Sequence, residues 1–150
     1  MADPLSIDAG AVGIVVPALD VTRELLEDLQ RVKDAPKTIQ RLTEDVQSVD
    51  MDLKLLKGVE EAEWALLDTG VAEQSQTTIK SCGDACKLFR ADLGRWTRHS
   101  AGGPLAWQDR VNVGVMKKSQ IKAMSEQLVN CKLTINNVVG IANLEATLNE

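Results

Sequence analysis

Four stretches of the chain carry inward-type residues at alternating intervals of three and four, and that rhythm constrains the fold more than anything else in the sequence. The clearest is Ile39, Leu42, Val46, Val49, Leu53 and Leu56. On an α-helix this spacing keeps every member on one face, so the segment must bury a continuous seam against neighbouring helices. The same rhythm returns as Ile79, Cys82, Cys86, Phe89, Leu93 and Trp96, and again as Ile121, Met124, Leu128, Cys131, Ile135 and Val138. Near the N-terminus it runs Val15, Ala18, Thr22, Leu25, Leu29 and Val32, with Arg23, Glu24, Glu27, Asp28 and Arg31 on the water side. Tyrosine is absent, aromatics make up 3% of the chain, and good helix formers abound. These features predict an all-α fold. We expect an up-down-up-down four-helix bundle with one or two additional short helices, forming a single domain over residues 1–150.

Breaker residues set the expected boundaries. The first helix should cover residues 5–33, and Asp34, Ala35 and Pro36 should cap it off and start the second. Gly58 can close the second helix in a left-handed conformation, and residues 64–67 suit a short helical turn lidding the bundle. Asp68, Thr69 and Gly70 announce a third helix over about residues 71–98. The HSAGGP run at 99–104 reads as a loop. Residues 105–113 suit a short helix, with Asn112 and Gly114 weakening its join to a final helix over about 116–148. Near that end Ile141, Leu144 and Leu148 are expected to take over the seam, since Glu145 occupies the next heptad place.

Residues 5–19, LSIDAGAVGIVVPAL, differ from the rest. They are apolar, small and β-branched, with Asp8 as the one charge. Ser6/Gly10 and Ala9/Gly13 form overlapping pairs of small residues four apart, which let helix backbones approach closely in protein or in lipid. The run falls short of the roughly 20 apolar residues that span a bilayer. It also lacks the basic lead of a secretory signal, so a cytoplasmic chain is expected. Pro17 removes the helical bond to the Gly13 carbonyl and marks a candidate hinge.

The net charge of −5 conceals a division along the chain. Residues 1–79 hold 7 basic and 16 acidic side chains, whereas residues 80–122 hold 9 basic and 3 acidic ones. The basic set is Lys80, Lys87, Arg90, Arg95, Arg98, Arg110, Lys117, Lys118 and Lys122. A solvated, salt-bridged bundle surface is its plain reading, and attraction to anionic membrane lipid is the sharper one. Nucleic acid fits poorly, because the chain is acidic overall and stacking aromatics are not interleaved with the cations. Cys82, Cys86 and Cys131 fall on seams and are expected as reduced core thiols; no Cys/His knuckle spacing indicates a metal site. A single histidine, no nucleophile–base set and no phosphate loop point away from an enzyme, and no cofactor is implied.

The segments ADPLSIDAGAVGIVVPALDVTRELLEDLQRVKDAPKTIQRL, CGDACKLFRADLGRWTRHS and WQDRVNVGVMKKSQIKAMSEQL resemble the HeLo-like domain, a fungal N-terminal domain of STAND and NLR-like receptors. The resemblance covers essentially the whole chain. It implies a helical bundle acting in programmed cell death, nonself recognition or defence. It implies self-association into a homo-oligomer on activation, recruitment to the plasma membrane, and an upstream NLR-like or amyloid-signalling partner. The residues matching the membrane-inserting helix are Leu5, Ile7, Gly10, Val12, Gly13, Ile14, Val15, Val16 and Leu19, with Pro17 as hinge. Two functions therefore stand side by side. One is a membrane-perturbing effector domain; the other is a bundle that only oligomerises or docks partners, with the apolar segment a permanent part of its core.

Overall fold

The computed structural model describes the backbone of residues 4–33, 35–59, 64–65, 67–99, 105–107 and 111–148, and the side chains of residues 13–33, 35–59, 64–65, 67–97, 117–144 and 147–148. Four long helices carry the fold: α1 (Pro4–Gln30), α2 (Lys37–Lys57), α3 (Thr69–Trp96) and α4 (Val111–Leu148). Three very short strands, β1 (Val32–Lys33), β2 (Thr97–His99) and β3 (Leu105–Trp107), accompany them. The architecture is the expected all-α bundle.

The seams become its interior. All six positions of the α2 seam are at most 1% exposed, and the α3 and α4 seams are buried throughout. Each fully buried Leu, Ile or Val contributes roughly 1.5–3 kcal/mol. Phe89 and Trp96 meet edge to face with centroids 5.6 Å apart. At the end of α4 Ile141 packs against the core as expected, and the expectation is corrected for Leu144 and Leu148. Ala142 is 0% exposed, whereas Leu144 and Leu148 are 60% and 73% exposed. The step from Cys131 through Ile135 and Val138 to Ala142 simply continues the three-four rhythm, using a small residue that a search for large apolar side chains passes over.

Cross-helix contacts fix directions and neighbours. Ala18 faces Gly83, Thr22 meets Cys86, and Glu24 and Asp28 reach Arg90, so α1 and α3 run parallel. Ser125 Oγ donates to Asp45 at 3.2 Å and Lys132 Nζ to Ser48 at 2.6 Å, so α2 and α4 also run parallel. The up-down-up-down sense holds. Each of α1 and α4 packs on both α2 and α3, which gives the order α1–α2–α4–α3 around the ring. The molecule is thus two antiparallel helical hairpins, α1–α2 and α3–α4, laid one on the other. α2 and α3 thus stand diagonally opposite, and between them in sequence Leu67 is buried and Trp64 packs against the core.

At the opposite end both hairpin connections meet in a small sheet of order β1-β3-β2. Val32 and Lys33 pair parallel with Leu105 and Ala106, while Thr97, Arg98 and His99 pair antiparallel with Trp107, Ala106 and Leu105. The short helix expected over 105–113 is replaced by β3 and by the first residues of α4, which runs through Asn112 and Gly114 without a break. α1 correspondingly ends at Gln30 rather than at residue 33. Backbone donors and acceptors leaving a helix end need partners, and two connections at one end of a bundle supply them to each other.

Helix ends also differ in detail from expectation. Pro36 itself stands at the N-cap of α2, its carbonyl accepting from the Ile39 and Gln40 amides at 3.0 Å each, while Asp34 lies outside the described residues. Gly58 is right-handed (φ −77°, ψ −9°), with its amide donating to the carbonyls of Lys54 and Leu55. The last turn of α2 tightens there, so a left-handed terminator is not needed. The other expected short helix, over 64–67, falls partly outside the described residues.

Candidate functional site between the first and third helices

The 5–19 segment lies wholly on α1, whose helix continues through Pro17. Gly13 and Pro17 are both exposed. Solvent can therefore reach the Gly13 carbonyl that proline leaves without a helical donor, so the helix survives the missing bond. Val15 and Leu19 are core residues, each 4% exposed, and Ile14 and Val16 are half-buried. The side chains of Leu5, Ile7 and Val12, and the surroundings of Gly10, lie outside the described residues.

Gly13 was a candidate for close helix packing, and the structure places that approach elsewhere. Among the described residues, no atom lies within 4 Å of where a Cβ on Gly13 would stand. The contact falls one and a half turns later, where Ala18 Cα lies 3.5 Å from the Cβ position of Gly83 on α3. Gly83 is buried and sits between seam members Cys82 and Cys86, a glycine on the inner face of a helix and the one sequence signal that pointed to it.

Beyond this contact α1 and α3 are tied firmly. Thr22, 0% exposed, donates its hydroxyl to the Ala18 carbonyl at 2.6 Å and lies 3.9 Å from Cys86 Sγ. Arg90 donates to Asp28 Oδ2 at 2.8 Å and pairs with Glu24. On the other flank of α1, Arg23 lies 4.0 Å from the buried carboxylate of Asp50, which Lys54 also holds at 3.0 Å.

Alongside this contact the helices leave an open groove of about 360 Å³. Gly13, Ile14, Pro17, Ala18 and Val21 form its α1 wall; Lys80, Gly83, Asp84 and Lys87 form its α3 wall. The groove therefore joins two sets of residues singled out from the sequence, the apolar N-terminal segment and two of the basic residues.

The remaining basic candidates scatter. Arg90 is engaged by Glu24 and Asp28, and Arg95 pairs with Asp92 on its own helix. Lys118 and Lys122 are exposed on α4, diagonally across the ring from α1. Lys117 is only 5% exposed and is not a surface cation. It occupies the seam place one turn before Ile121, a spacing already visible in the sequence. The side chains of Arg98 and Arg110 lie outside the described residues. No single surface carries the whole set.

Cys82, Cys86 and Cys131 are buried thiols, as expected from their seam positions. Contact with the Cys131 thiol and burial push the Cys82 thiol far above its ordinary range, with a hydrogen bond from Cys86 acting the other way. Contact with Cys82 and burial do the same to Cys86, and Thr22 partly opposes them. Both stay protonated and unreactive at neutral pH. Among the described residues, no helix is long and apolar enough to cross a membrane.

Residues 2–150 match the family model described as the N-terminal domain of a pigment biosynthesis cluster protein, PigL. The chain belongs to this family. PigL N-terminal domains are related to fungal N-terminal domains. No curated protein and no solved structure matches the chain significantly. In this PigL N-terminal domain, then, the α1–α3 groove is the place where sequence-derived candidates converge.

Proposed function

We propose that the chain is a HeLo-like N-terminal effector domain of a fungal STAND or NLR-like receptor, acting in programmed cell death or nonself recognition. On activation it self-associates and drives the 5–19 segment of α1 into an anionic membrane. The observation that supports this reading is the groove, where Gly13, Ile14 and Pro17 of that segment lie beside the exposed Lys80 and Lys87. Cations beside an apolar element hold it against anionic headgroups, each contributing about 1 kcal/mol near such a surface. One copy of the segment is too short to span alone, so the inserted form is an oligomer in which small residues meet. A second reading rests on Val15, Ala18 and Leu19, which are packed into the core. On that reading the segment is permanent structure and the bundle is an adaptor.

Dye release from anionic and from neutral liposomes separates the two. Because residues 15, 18 and 19 belong to the core, the informative truncation removes residues 1–12 only. The effector reading expects leakage from anionic vesicles that falls with salt, and that is lost in the truncated protein and in Lys80→Glu/Lys87→Glu. Equal leakage by the folded truncated protein, or none by the intact one after induced oligomerisation, establishes the adaptor.

A further inference from the structure

We infer that the α1–α3 groove is a binding site for a single-chain anionic amphiphile, an alkyl chain ending in one carboxylate or phosphate. Its apolar lining is Ile14, Ala18 and Val21, the last two packed against Gly83. At the Gly13 end, no atom of the described residues comes within 4 Å of the Cβ position. On the rim Lys80 and Lys87 stand two turns apart on one face of α3. Both are exposed, and among the described residues neither forms an ion pair, whereas Arg90, three residues further along, is fully engaged by Glu24 and Asp28. Asp84 is the one acid in the lining, so the groove carries an excess of one positive charge in a chain of net charge −5.

That combination selects the occupant. An apolar slot favours hydrocarbon at about 0.8 kcal/mol per methylene, and two unpaired ammonium groups at its edge favour an anionic end over a neutral or cationic one. The volume of about 360 Å³ is near the lower bound of small-molecule sites, which suits one chain and excludes a two-chain lipid. The inference goes beyond the membrane reading and does not require it, because the site is formed in the resting bundle.

The test is calorimetric titration of the folded protein with dodecanoate below its micelle concentration, alongside dodecanol, dodecyltrimethylammonium and butyrate. We expect one saturable dodecanoate site. Dodecanol should bind about three- to tenfold more weakly, the range that two exposed charge pairs supply. Butyrate should bind more than about a hundredfold more weakly, having lost most of the chain. Lys80→Ala/Lys87→Ala should match the dodecanol loss, while Lys57→Ala on α2 leaves affinity unchanged. Gly13→Leu, placed where the structure has free space, should fill the groove and abolish binding in a protein that remains folded by circular dichroism. Equal affinity for dodecanol, unaltered binding in folded Gly13→Leu, or no saturable site overturns the inference. If the parent protein binds no dodecanoate and Gly13→Leu changes the oligomeric state, the inference is overturned too and the groove is assigned to contact between copies. Vesicles lacking free fatty acid form the separate arm: leakage without dodecanoate binding sinks the groove site alone, and binding without leakage sinks the membrane reading alone.

Discussion

The two halves of α1 lie on the same helical partner and are held in opposite ways. From Ala18 onward the helix is fastened on both flanks: Leu25 and Leu29 are buried, Thr22 touches Cys86, Arg90 bridges Glu24 and Asp28, and Arg23 approaches Asp50. From Gly13 to Pro17, among the described residues, no ion pair crosses to α3, two positions are exposed, and the segment borders the open groove. One continuous helix thus has a part held by burial and ion pairs together and a part held through Val15 and its apolar neighbours alone. The boundary is the Ala18–Gly83 contact, and Pro17 directly precedes it.

Substitutions can break or sharpen this contrast. The largest effect should come from Leu25→Ala, which empties a fully buried site and should lower unfolding free energy by about 2–5 kcal/mol in urea titrations, against about 1 kcal/mol or less for Ile14→Ala. Equal losses at the two positions would erase the distinction. Gly83→Leu comes next. Forcing a branched chain between α3 and the Ala18 backbone should cost about 1–3 kcal/mol by overpacking. The same substitution at Gly13 should leave thermal stability unchanged or raised, and a large loss there would mean that the open half is closed after all.

Arg90→Ala should cost about 1 kcal/mol, and a cycle with Asp28→Ala should return a coupling of about 0.5–1 kcal/mol that shrinks in salt. Lys87→Ala, one turn earlier on α3, should leave stability at its parent value, so a coupling as strong at Lys87 contradicts the contrast. The smallest effect is of opposite sign. Gly13→Ala should stabilise the protein by about 0.5–1 kcal/mol, since alanine restricts the unfolded chain and the helix there has room for its methyl group.

The seams were legible in the sequence because a helix repeats its faces, and a run such as Ile39 to Leu56 admits only one buried side. Who faces whom was not legible. A stripe marks a residue as inward without naming its partner, so the order α1–α2–α4–α3 depended on particulars: a glycine at 83 where a larger residue would hold α1 away, and an arginine at 90 within reach of two acids. The strands escaped notice because two- and three-residue pairings are too short for any alternation of side chains to register. For the site, the apolar segment and the basic section were both visible as compositions. That only Lys80 and Lys87 of the basic set would stand beside the segment was not, since it follows from α1 and α3 being parallel neighbours. Lys117 stands one turn before Ile121 in the same rhythm, and its burial follows that place rather than its charge.

Stacking two hairpins has a consequence for how the chain reaches this state. Within each hairpin the partners follow one another in sequence and their connections pair in the small sheet, but the bonds that hold one hairpin to the other link residues 62 to 84 positions apart. Contacts of that range are slow to form, because the intervening chain must be ordered before they repay the loss of its freedom. The rate-limiting step of folding should therefore be the docking of two preformed hairpins. It should run slower than in a bundle of equal size whose helices follow one another around the ring.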